Sequence, residues 1–284
     1  MFTPASTRSP PPDSLFHSLV TIPPDVVDLN AGTHSRTPLR VLRAQRKAQD
    51  DYEANPTWGL MTLWRKLWPI QVRLAQFFGA DPNSLFFRAN ITQVINELIL
   101  GIPLPKQSAL VMTQLEYGAV KHTCRFRAER DSLELIEIQL PATATASEAS
   151  ILEAVEAQLP ANTGLLVISH VFTGTGFIVP IDKIAKLARA RGIRLIVDGA
   201  HAAGYLDVQL AELGAVGVDG YAANLHKWML GPKGTSFGWL APDLHEGFRP
   251  IMAGWPTYPL AVSSKWPDGL EKASILWLLM PQRC

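Results

Sequence analysis

The most constraining feature of the sequence is a pair of short apolar runs that flank a helical pattern. Residues 164–171 (GLLVISHV) form an unbroken run rich in β-branched side chains, which is typical of a strand buried on both faces. Residues 193–197 (IRLIV) form a second run, which ends at Asp198. A strand, a helix and a strand of these lengths make a βαβ unit, and such units build mostly parallel sheets with right-handed crossovers.

The helix between these two runs has the clearest pattern in the chain. Pro180 stands near its start and Gly192 just past its end, which is the usual placement of these two residue types. Apolar residues recur on one stripe at helical spacing. The stripe consists of Ile181, Ile184, Leu187 and Ala188.

Weaker patterns upstream continue the alternation of strands and helices. Apolar runs at residues 110–113 and 133–138 predict two strands, and residues 117–130 between them predict a helix. Ser147 is a suitable N-cap for a further helix through Leu159. We therefore expect a three-layer αβα fold with a mostly parallel central sheet. In open sheets of this kind, ligands bind beyond the carboxyl ends of the strands.

Composition limits the classes of function to consider. The 284 residues suffice for one large domain, or for one domain and part of another, and 47% apolar with 18% charged residues is typical of a globular core. The 26 basic and 25 acidic side chains nearly cancel, so net charge favours neither nucleic acid nor an anionic membrane as partner. No run approaches the roughly 18 apolar residues of a membrane span. We expect a soluble, cytoplasmic protein.

The N-terminus and the cysteine and histidine spacings argue against three further classes. The opening MFTPASTRSPPPD contains four prolines and no apolar core, so it predicts a flexible arm and not a signal peptide. Cys124 and Cys284 form no CxxC pair and predict neither a disulfide framework nor a zinc site. His170, His201 and His226 lack the spacing of metal ligands, so we expect no metal.

Asp198 and Lys227 are the residues with the clearest chemical potential. Asp198 opens the segment DGAH directly after a buried strand, where a carboxylate either caps a turn or pairs with a cationic ligand ring. Lys227 lies in NLHKWML between apolar neighbours, so we expect burial to lower its pKa from the usual ~10.4. A neutral amine is what Schiff-base chemistry requires. The alternative is a lysine that extends from an apolar patch into water.

Taken together, DGAH at 198–201 and NLHK at 224–227, with a strand between them, resemble the class V aminotransferase family of fold type I pyridoxal-phosphate (PLP) enzymes. The similarity covers about residues 29–240 and is greatest to the isopenicillin N epimerase-like branch. It implies that Asp198 pairs with the pyridine nitrogen of pyridoxal 5'-phosphate and that Lys227 forms the internal aldimine. The aspartate would keep the ring protonated, so that the ring withdraws electrons from a carbanion at the substrate α-carbon.

The resemblance also assigns contacts to the cofactor phosphate and ring. Residues 90–96 (NITQVIN) fit an element that opens a helix against the phosphate, with Thr92 and Gln93 as the contacts. Free N–H groups and the positive end of a helix attract a dianion. The alternative for Thr92 is a plain N-cap. Tyr117, after Glu116, stands where relatives stack an aromatic ring or a His on the cofactor, and its alternative is a core tyrosine.

Four more residues complete the implied site. His170 matches a position near the 3-hydroxyl of the ring, although an isolated His at a strand end is more often structural. His201 matches a residue near the same oxygen, and we count it as catalytic together with the aspartate and the lysine. Asn224 and His226 match residues on the phosphate side of the segment before the lysine.

The resemblance predicts the domain organisation as well. We expect residues 1–28 to be an N-terminal arm that is partly flexible, and residues 29–245 to be the PLP-binding large domain. Residues 246–284 would be the start of a small C-terminal domain, which supplies the arginine for the substrate carboxylate in the family. Because this last segment is short, we expect the domain to be truncated. Neither Arg249 nor Arg283 can be matched to that arginine.

Two classes of function stay open. The first is a PLP enzyme that acts at the α-carbon of a small-molecule amino acid by epimerisation, racemisation or transamination, with Lys227 as the base that moves the α-proton. The second is a truncated remnant that binds PLP or a partner subunit without turnover. A cysteine desulfurase or lyase is a further alternative, although desulfuration needs a nucleophilic cysteine that neither Cys124 nor Cys284 supplies by position. The family also implies a homodimer.

Overall fold

The computed structural model describes residues 19–20, 26–142 and 145–252, and its centre is a seven-stranded sheet. The strands of this part of the chain are β1 (Leu85–Arg88), β2 (Ala109–Thr113), β3 (Glu134–Ile138), β4 (Thr163–Ser169), β5 (Arg194–Asp198), β6 (Gly220–Asn224) and β7 (Ser236–Leu240). They lie in the order β1-β7-β6-β5-β4-β2-β3. Among these seven strands β7 alone runs in the direction opposite to the other six, so the expected mostly parallel sheet is confirmed.

Helices cover both faces of this sheet. Those of the described ranges are α1 (Leu39–Glu53), α2 (Pro56–Phe77), α3 (Ile91–Gly101), α4 (Gly118–Asp131), α5 (Glu148–Gln158), α6 (Ile181–Ala190) and α7 (Leu210–Val216). None of them combines the length and the apolar character that a membrane crossing needs. The three-layer αβα architecture expected from the sequence is therefore the observed one.

The predicted local elements are confirmed to within about two residues at their ends. Helix α6 buries Ile181, Ile184 and Ala188 of the predicted stripe, whereas Leu187 is only partly buried, and Gly192 follows the helix with a positive φ of 68°. Ser147 caps α5 through a reciprocal pair of hydrogen bonds with Ser150. Strand β4 ends at Ser169, two residues earlier than predicted: the N–H of His170 still donates to the carbonyl of Asp198 at 2.8 Å, but Val171 forms an isolated antiparallel bridge with Ile178 instead.

Alternate residues of the central strands enter two separate cores. On one face, Leu166 and Val197 belong to a cluster that includes buried residues of α5 and α6. On the other face, Leu165 and Ile196 belong to a cluster with buried residues of α3 and α4. Burial on both faces explains why these strands read as unbroken apolar runs.

The sheet positions four chain segments along one edge. Because β2, β4, β5 and β6 are parallel, their carboxyl ends meet at that edge. Their last residues are Thr113, Ser169, Asp198 and Asn224. The amino end of α3 lies at the same edge, since the N–H of Ile91 donates to Oδ1 of Asn224 at 3.1 Å.

Candidate active site

Asp198 is a buried carboxylate at the end of β5. Its Oδ1 accepts a hydrogen bond of 2.8 Å from the N–H of Ala200, so the turn-capping interpretation is correct for one of its oxygens. Burial raises the pKa of the Asp198 carboxyl, while the Ala200 N–H and the positive charge of Lys227 act in the opposite direction. The carboxylate and the lysine are therefore electrostatically coupled at the same sheet edge.

Lys227 follows β6 by three residues and is partly buried. Burial lowers the pKa of its amine, as its apolar neighbours predict, and the nearby carboxylate of Asp198 partly offsets this effect. The Nζ atom lies 3.1 Å from Nε2 of His201. The amine of the partly buried Lys227 is thus in contact with a neutral imidazole.

His201 and His170 are both neutral imidazoles at pH 7. Burial and the charge of Lys227 lower the pKa of His201 to about 4. Burial alone lowers the pKa of His170 to about 4, and its Nδ1 lies 2.9 Å from the hydroxyl oxygen of Tyr221. Both histidines can therefore serve as hydrogen-bonding groups, although not as cations.

Two asparagines fix the amino end of α3. Asn90 is the N-cap, and its Oδ1 accepts from the N–H of Gln93 at 3.0 Å, so the alternative interpretation of Thr92 as N-cap is wrong. Asn224 caps the N–H of Ile91. Thr92 lies between these capped groups, is exposed, and its own N–H has no partner among the residues that the structure describes. This N–H is therefore available to an anion.

The two remaining phosphate-side candidates adopt defined positions. Oε1 of Gln93 accepts from the N–H of Ala89 at 3.0 Å, which holds the side chain back across the helix start. His226 is buried, its Nδ1 lies 3.2 Å from the carbonyl oxygen of Thr235, and burial lowers its pKa. Its ring packs edge-on against His34 with centroids 4.7 Å apart, a partner that sequence reasoning missed.

Tyr117 lies directly before α4, at the carboxyl end of β2. Its side chain is 55% exposed, so the alternative interpretation as a core tyrosine is wrong. The exposed ring is free to cover a ligand at the sheet edge. The structure thus brings the predicted residues to one edge, from α3 and from the ends of β2, β4, β5 and β6.

Sequence reasoning also missed the role of Glu116, which joins two strand ends. Its carboxylate is buried and accepts from the Thr113 hydroxyl at 2.7 Å, the Ser169 hydroxyl at 2.5 Å and the Ser169 N–H at 3.2 Å. Burial raises its pKa to about 7, and the charge of Asp198 adds to this rise. An acidic residue directly before the candidate stacking residue was the only available signal.

Replacing Glu116 by glutamine should change how stability depends on pH. Its pKa is 4.5 in the unfolded reference and about 7 in the fold, so between these values the folded protein binds more protons here than the unfolded chain does. The free energy of unfolding therefore falls as pH rises through this window, by up to about 3 kcal/mol from this group. We expect Glu116→Gln to remove this contribution, so that the free energy of unfolding decreases less from pH 5 to pH 8 than in the wild type. Urea titrations at the two pH values measure the difference.

The exposed Glu153 on α5 offers a matched control for this substitution. Glu153→Gln makes the same chemical change outside the buried network, and it should keep the wild-type dependence on pH. An equal dependence in all three proteins would contradict the assignment of this titration to Glu116.

Residues 32–37 (the N-terminal segment) lie over residues 225–235, the loop that carries Lys227 (the lysine loop). The sequence did not predict this contact. Both the N–H and the hydroxyl of Ser35 donate to the carbonyl of His226, at 2.9 and 3.0 Å. Lys233 donates to the carbonyl of Ser35 and, at 3.0 Å, to the hydroxyl oxygen of Thr37. A Cβ at Gly32 would lie 3.3 Å from Cε1 of His201, so the segment reaches the candidate residues closely.

Comparison with known proteins defines the family. Residues 26–258 match the class-V aminotransferase family, and the chain belongs to it. Pyridoxal phosphate, the cofactor expected from the sequence, is the cofactor of this family. The chain also resembles isopenicillin N epimerases, which agrees with the branch expected from the two motifs.

The isopenicillin N epimerase of Streptomyces clavuligerus is 32% identical over 237 residues, which cover 83% of this chain and 58% of that protein. The isopenicillin N epimerase of Amycolatopsis lactamdurans is 33% identical over 245 residues, with coverages of 84% and 60%. A probable cysteine desulfurase of Methanothermobacter thermautotrophicus is 26% identical over 240 residues, with coverages of 82% and 57%. The chain therefore spans about three fifths of the length of these relatives.

Solved structures agree on the fold. The cystine C–S lyase C-DES, in complex with its product cysteine persulfide, matches with a TM-score of 0.76 and 22% identity over 88% of this chain and 70% of that one. A C-DES mutant with glycine covalently linked to its PLP cofactor matches equally well, with coverages of 88% and 69%. The fold type I architecture expected for the large domain is thus confirmed.

Proposed function

We propose that this chain carries the cofactor-binding part of a PLP-dependent enzyme that acts at the α-carbon of an amino acid, with Lys227 holding the cofactor covalently. The single observation that supports this most is geometric: the buried carboxylate of Asp198 ends β5, and the partly buried Lys227 follows the neighbouring parallel strand β6 at the same carboxyl edge of the sheet. A ligand fits this pair if it carries a ring nitrogen that can bind the carboxylate and an aldehyde that can react with the amine.

The described residues fit the three ends of the cofactor. Asp198 would hold the ring nitrogen. The uncapped N–H of Thr92 and the side chain of Gln93, at the positive end of α3, would hold the phosphate. Asn224 would support that end by fixing the helix start, and His226 would contact the phosphate beside the lysine.

Three further residues would surround the ring. Tyr117 would cover one face, because its exposed ring follows the end of β2. His170 and His201 would approach the 3-hydroxyl as neutral hydrogen-bonding partners, because burial lowers the pKa of both. We propose residues 29–245 as the domain that contains all of these groups.

When bound, PLP supplies an electron sink for a carbanion at the substrate α-carbon. In this chain Asp198 would keep a proton at the ring nitrogen, which strengthens that sink. Lys227 would take up and return the α-proton as a general base. Its lowered pKa favours the neutral form that this role needs.

Among reactions at the α-carbon, we propose epimerisation or racemisation first, because two isopenicillin N epimerases match most of the chain. Transamination uses the same early proton transfer and is the closest alternative. A homodimer is proposed as well. It is supported by exposed apolar side chains of α2, which a subunit contact would cover. These side chains are Trp58, Leu60, Met61, Ile70 and Phe77. A cytoplasmic location stays a prediction.

Cysteine desulfurase or lyase chemistry is the second candidate, because a probable cysteine desulfurase matches 82% of the chain. Cys124 does not serve such a reaction as nucleophile. It lies on the buried face of α4, and burial raises its thiol pKa far above neutral pH. Cys284, like Arg283, lies outside the described residues. The desulfurase proposal therefore depends on a group that the described residues do not contain.

The test is to purify the chain, add PLP, and record the visible absorbance before and after adding amino acids one at a time. We expect PLP to produce a visible band, and one or a few amino acids to shift it and to exchange their α-hydrogen with deuterated water. A band without any response would indicate the remnant that binds PLP without turnover. The absence of any band would contradict cofactor binding itself.

A further inference from the structure

His201 lies between two nitrogen-bearing side chains. Its Nδ1 is 3.4 Å from the indole Nε1 of Trp228, and its Nε2 is 3.1 Å from Nζ of Lys227. The indole nitrogen can only donate a hydrogen bond. Nδ1 of His201 must therefore accept, and a neutral imidazole that accepts at Nδ1 carries its proton on Nε2.

This tautomer has a consequence for the lysine. The Nε2–H of His201 points at Nζ of Lys227, and it can form a hydrogen bond there only if the amine has a lone pair. An ammonium group has three donors and no acceptor. Protonation of Lys227 would therefore require His201 to change tautomer and to lose its contact with Trp228.

We propose that Trp228 is a positioning residue that fixes the tautomer of His201, so that His201 donates from Nε2 to the lone pair of Lys227 and favours the neutral amine. The proposal deepens the proposed function and rests on it for its purpose, because a neutral amine is the form that attacks an aldehyde. The hydrogen-bond pattern itself is a property of the cofactor-free chain.

The surroundings hold Trp228 in the orientation that this role needs. Its ring packs against Tyr205 with centroids 5.9 Å apart. Gly204, with a φ of 84°, allows close approach of the lysine loop, since a Cβ there would lie 2.8 Å from the carbonyl carbon of Trp228. A Cβ at Gly32 would lie 3.6 Å from the indole ring, so the N-terminal segment lies close to it on another side.

Three titratable groups, Asp198, His201 and His226, interact electrostatically with Lys227. Asp198 favours the charged amine, and burial of the amine disfavours it. His226 feels the charge of Lys227 and is itself neutral at pH 7, because burial lowers its pKa. His201 is the group in direct contact. The hydrogen bond from this tautomer of His201 therefore favours the neutral amine, as burial does, whereas Asp198 favours the charged amine.

The direct test is nitrogen-15 NMR of the cofactor-free protein with labelled histidine, in which the two ring nitrogens report their protonation. The His201 signals are identified by their loss in His201→Gln. At pH 7 we expect wild-type His201 to be unprotonated at Nδ1 and protonated at Nε2. Trp228→Phe keeps an aromatic ring but removes the donor, and it should give a mixture of both tautomers. Trp68→Phe, at a tryptophan of α2 that packs against Trp64, should match the wild type.

A second readout is the reactivity of the amine. The rate at which trinitrobenzenesulfonate labels Lys227 at pH 7, followed by peptide mass spectrometry, should fall about three- to tenfold in Trp228→Phe, as expected for the loss of one net hydrogen bond. Labelling of the exposed Lys47 in the same samples provides an internal reference.

Three results would overturn the proposal: a proton on Nδ1 in the wild type, an unchanged single tautomer in Trp228→Phe, or an unchanged labelling rate. Because these measurements use no cofactor, they are separate from the proposed function. A wild type with the expected tautomer that never binds PLP would reject only the proposed function. A wild type that binds PLP but shows the other tautomer would reject only the role of Trp228.

Discussion

Replacing Asp198 by asparagine is expected to lower turnover of the amino acid substrate by on the order of 10²–10³-fold, the usual loss when one preorganised electrostatic group is removed. Asparagine cannot keep a proton on the ring nitrogen. The cofactor-free variant should nevertheless be at least as stable as the wild type at pH 8. Burial raises the pKa of Asp198 above its unfolded value, so its charge costs stability above that value. Asparagine can still accept from Ala200.

Asp219 provides a matched control for this substitution. It is also a buried carboxylate, but it precedes β6 and binds the N–H of Leu195 and the guanidinium of Arg194 at the opposite edge of the sheet. Asp219→Asn should leave turnover at the wild-type level. Turnover is measured by α-hydrogen exchange, and the free energy of unfolding by urea titration. An equal loss of turnover in both variants would contradict the assignment of Asp198 to the cofactor ring.

Replacing Gly199 by alanine should destabilise the protein by about 3 kcal/mol, the upper part of the range for overpacking a core. A Cβ at this position would overlap the ring of Tyr221, which is fully buried and has no open space to enter. A displaced Tyr221 would also lose its contact with His170. The free energy of unfolding is measured by urea titration, and PLP binding by absorbance should weaken in the same variant.

Two further variants check that the overlap is the cause. A Cβ at Gly174 meets no atom within 4 Å, so Gly174→Ala should stay close to wild-type stability. Tyr221→Ala leaves a cavity that can receive the new methyl group. In that background Gly199→Ala should lower the free energy of unfolding by less than about 1 kcal/mol. A cost of about 3 kcal/mol in both backgrounds would show that the tyrosine ring is not the obstacle.

The elements that the sequence predicted well are those whose signals are local. Strand β5 and helix α6 are each defined by patterns within about ten residues, with Pro180 and Gly192 at the helix ends. Asp198 lies at the end of that strand, as the sequence predicted. The apolar residues around Lys227 predicted a buried environment for its amine, and burial lowers the pKa of that amine.

The contacts that the sequence did not predict join residues far apart in the chain. Ser35 binds the carbonyl of His226 across 191 positions, and Glu116 joins the end of β2 to Ser169 across 53 positions. Such pairs depend on how strands and loops pack, and no local pattern encodes them. The contact between Trp228 and His201 depends in addition on the orientations of two side chains. The antiparallel direction of β7 is likewise a property of the whole sheet.

We propose Lys227 as the lysine whose amine binds the cofactor. Lys233 is the natural competitor, because it lies six residues along the chain, is held against the same loop, and also has a pKa lowered by burial. Lys227→Ala and Lys233→Ala should therefore separate the two lysines, with the visible PLP band lost in the first and kept in the second.

The most direct measurement is to load the protein with PLP, reduce it with borohydride, digest it and locate the pyridoxyl group by mass spectrometry. We predict the group on the peptide around Lys227, in a ratio of about one per chain. A pyridoxyl group on Lys233 or on any other lysine instead, or a PLP-loaded protein without any reducible linkage, would contradict the account.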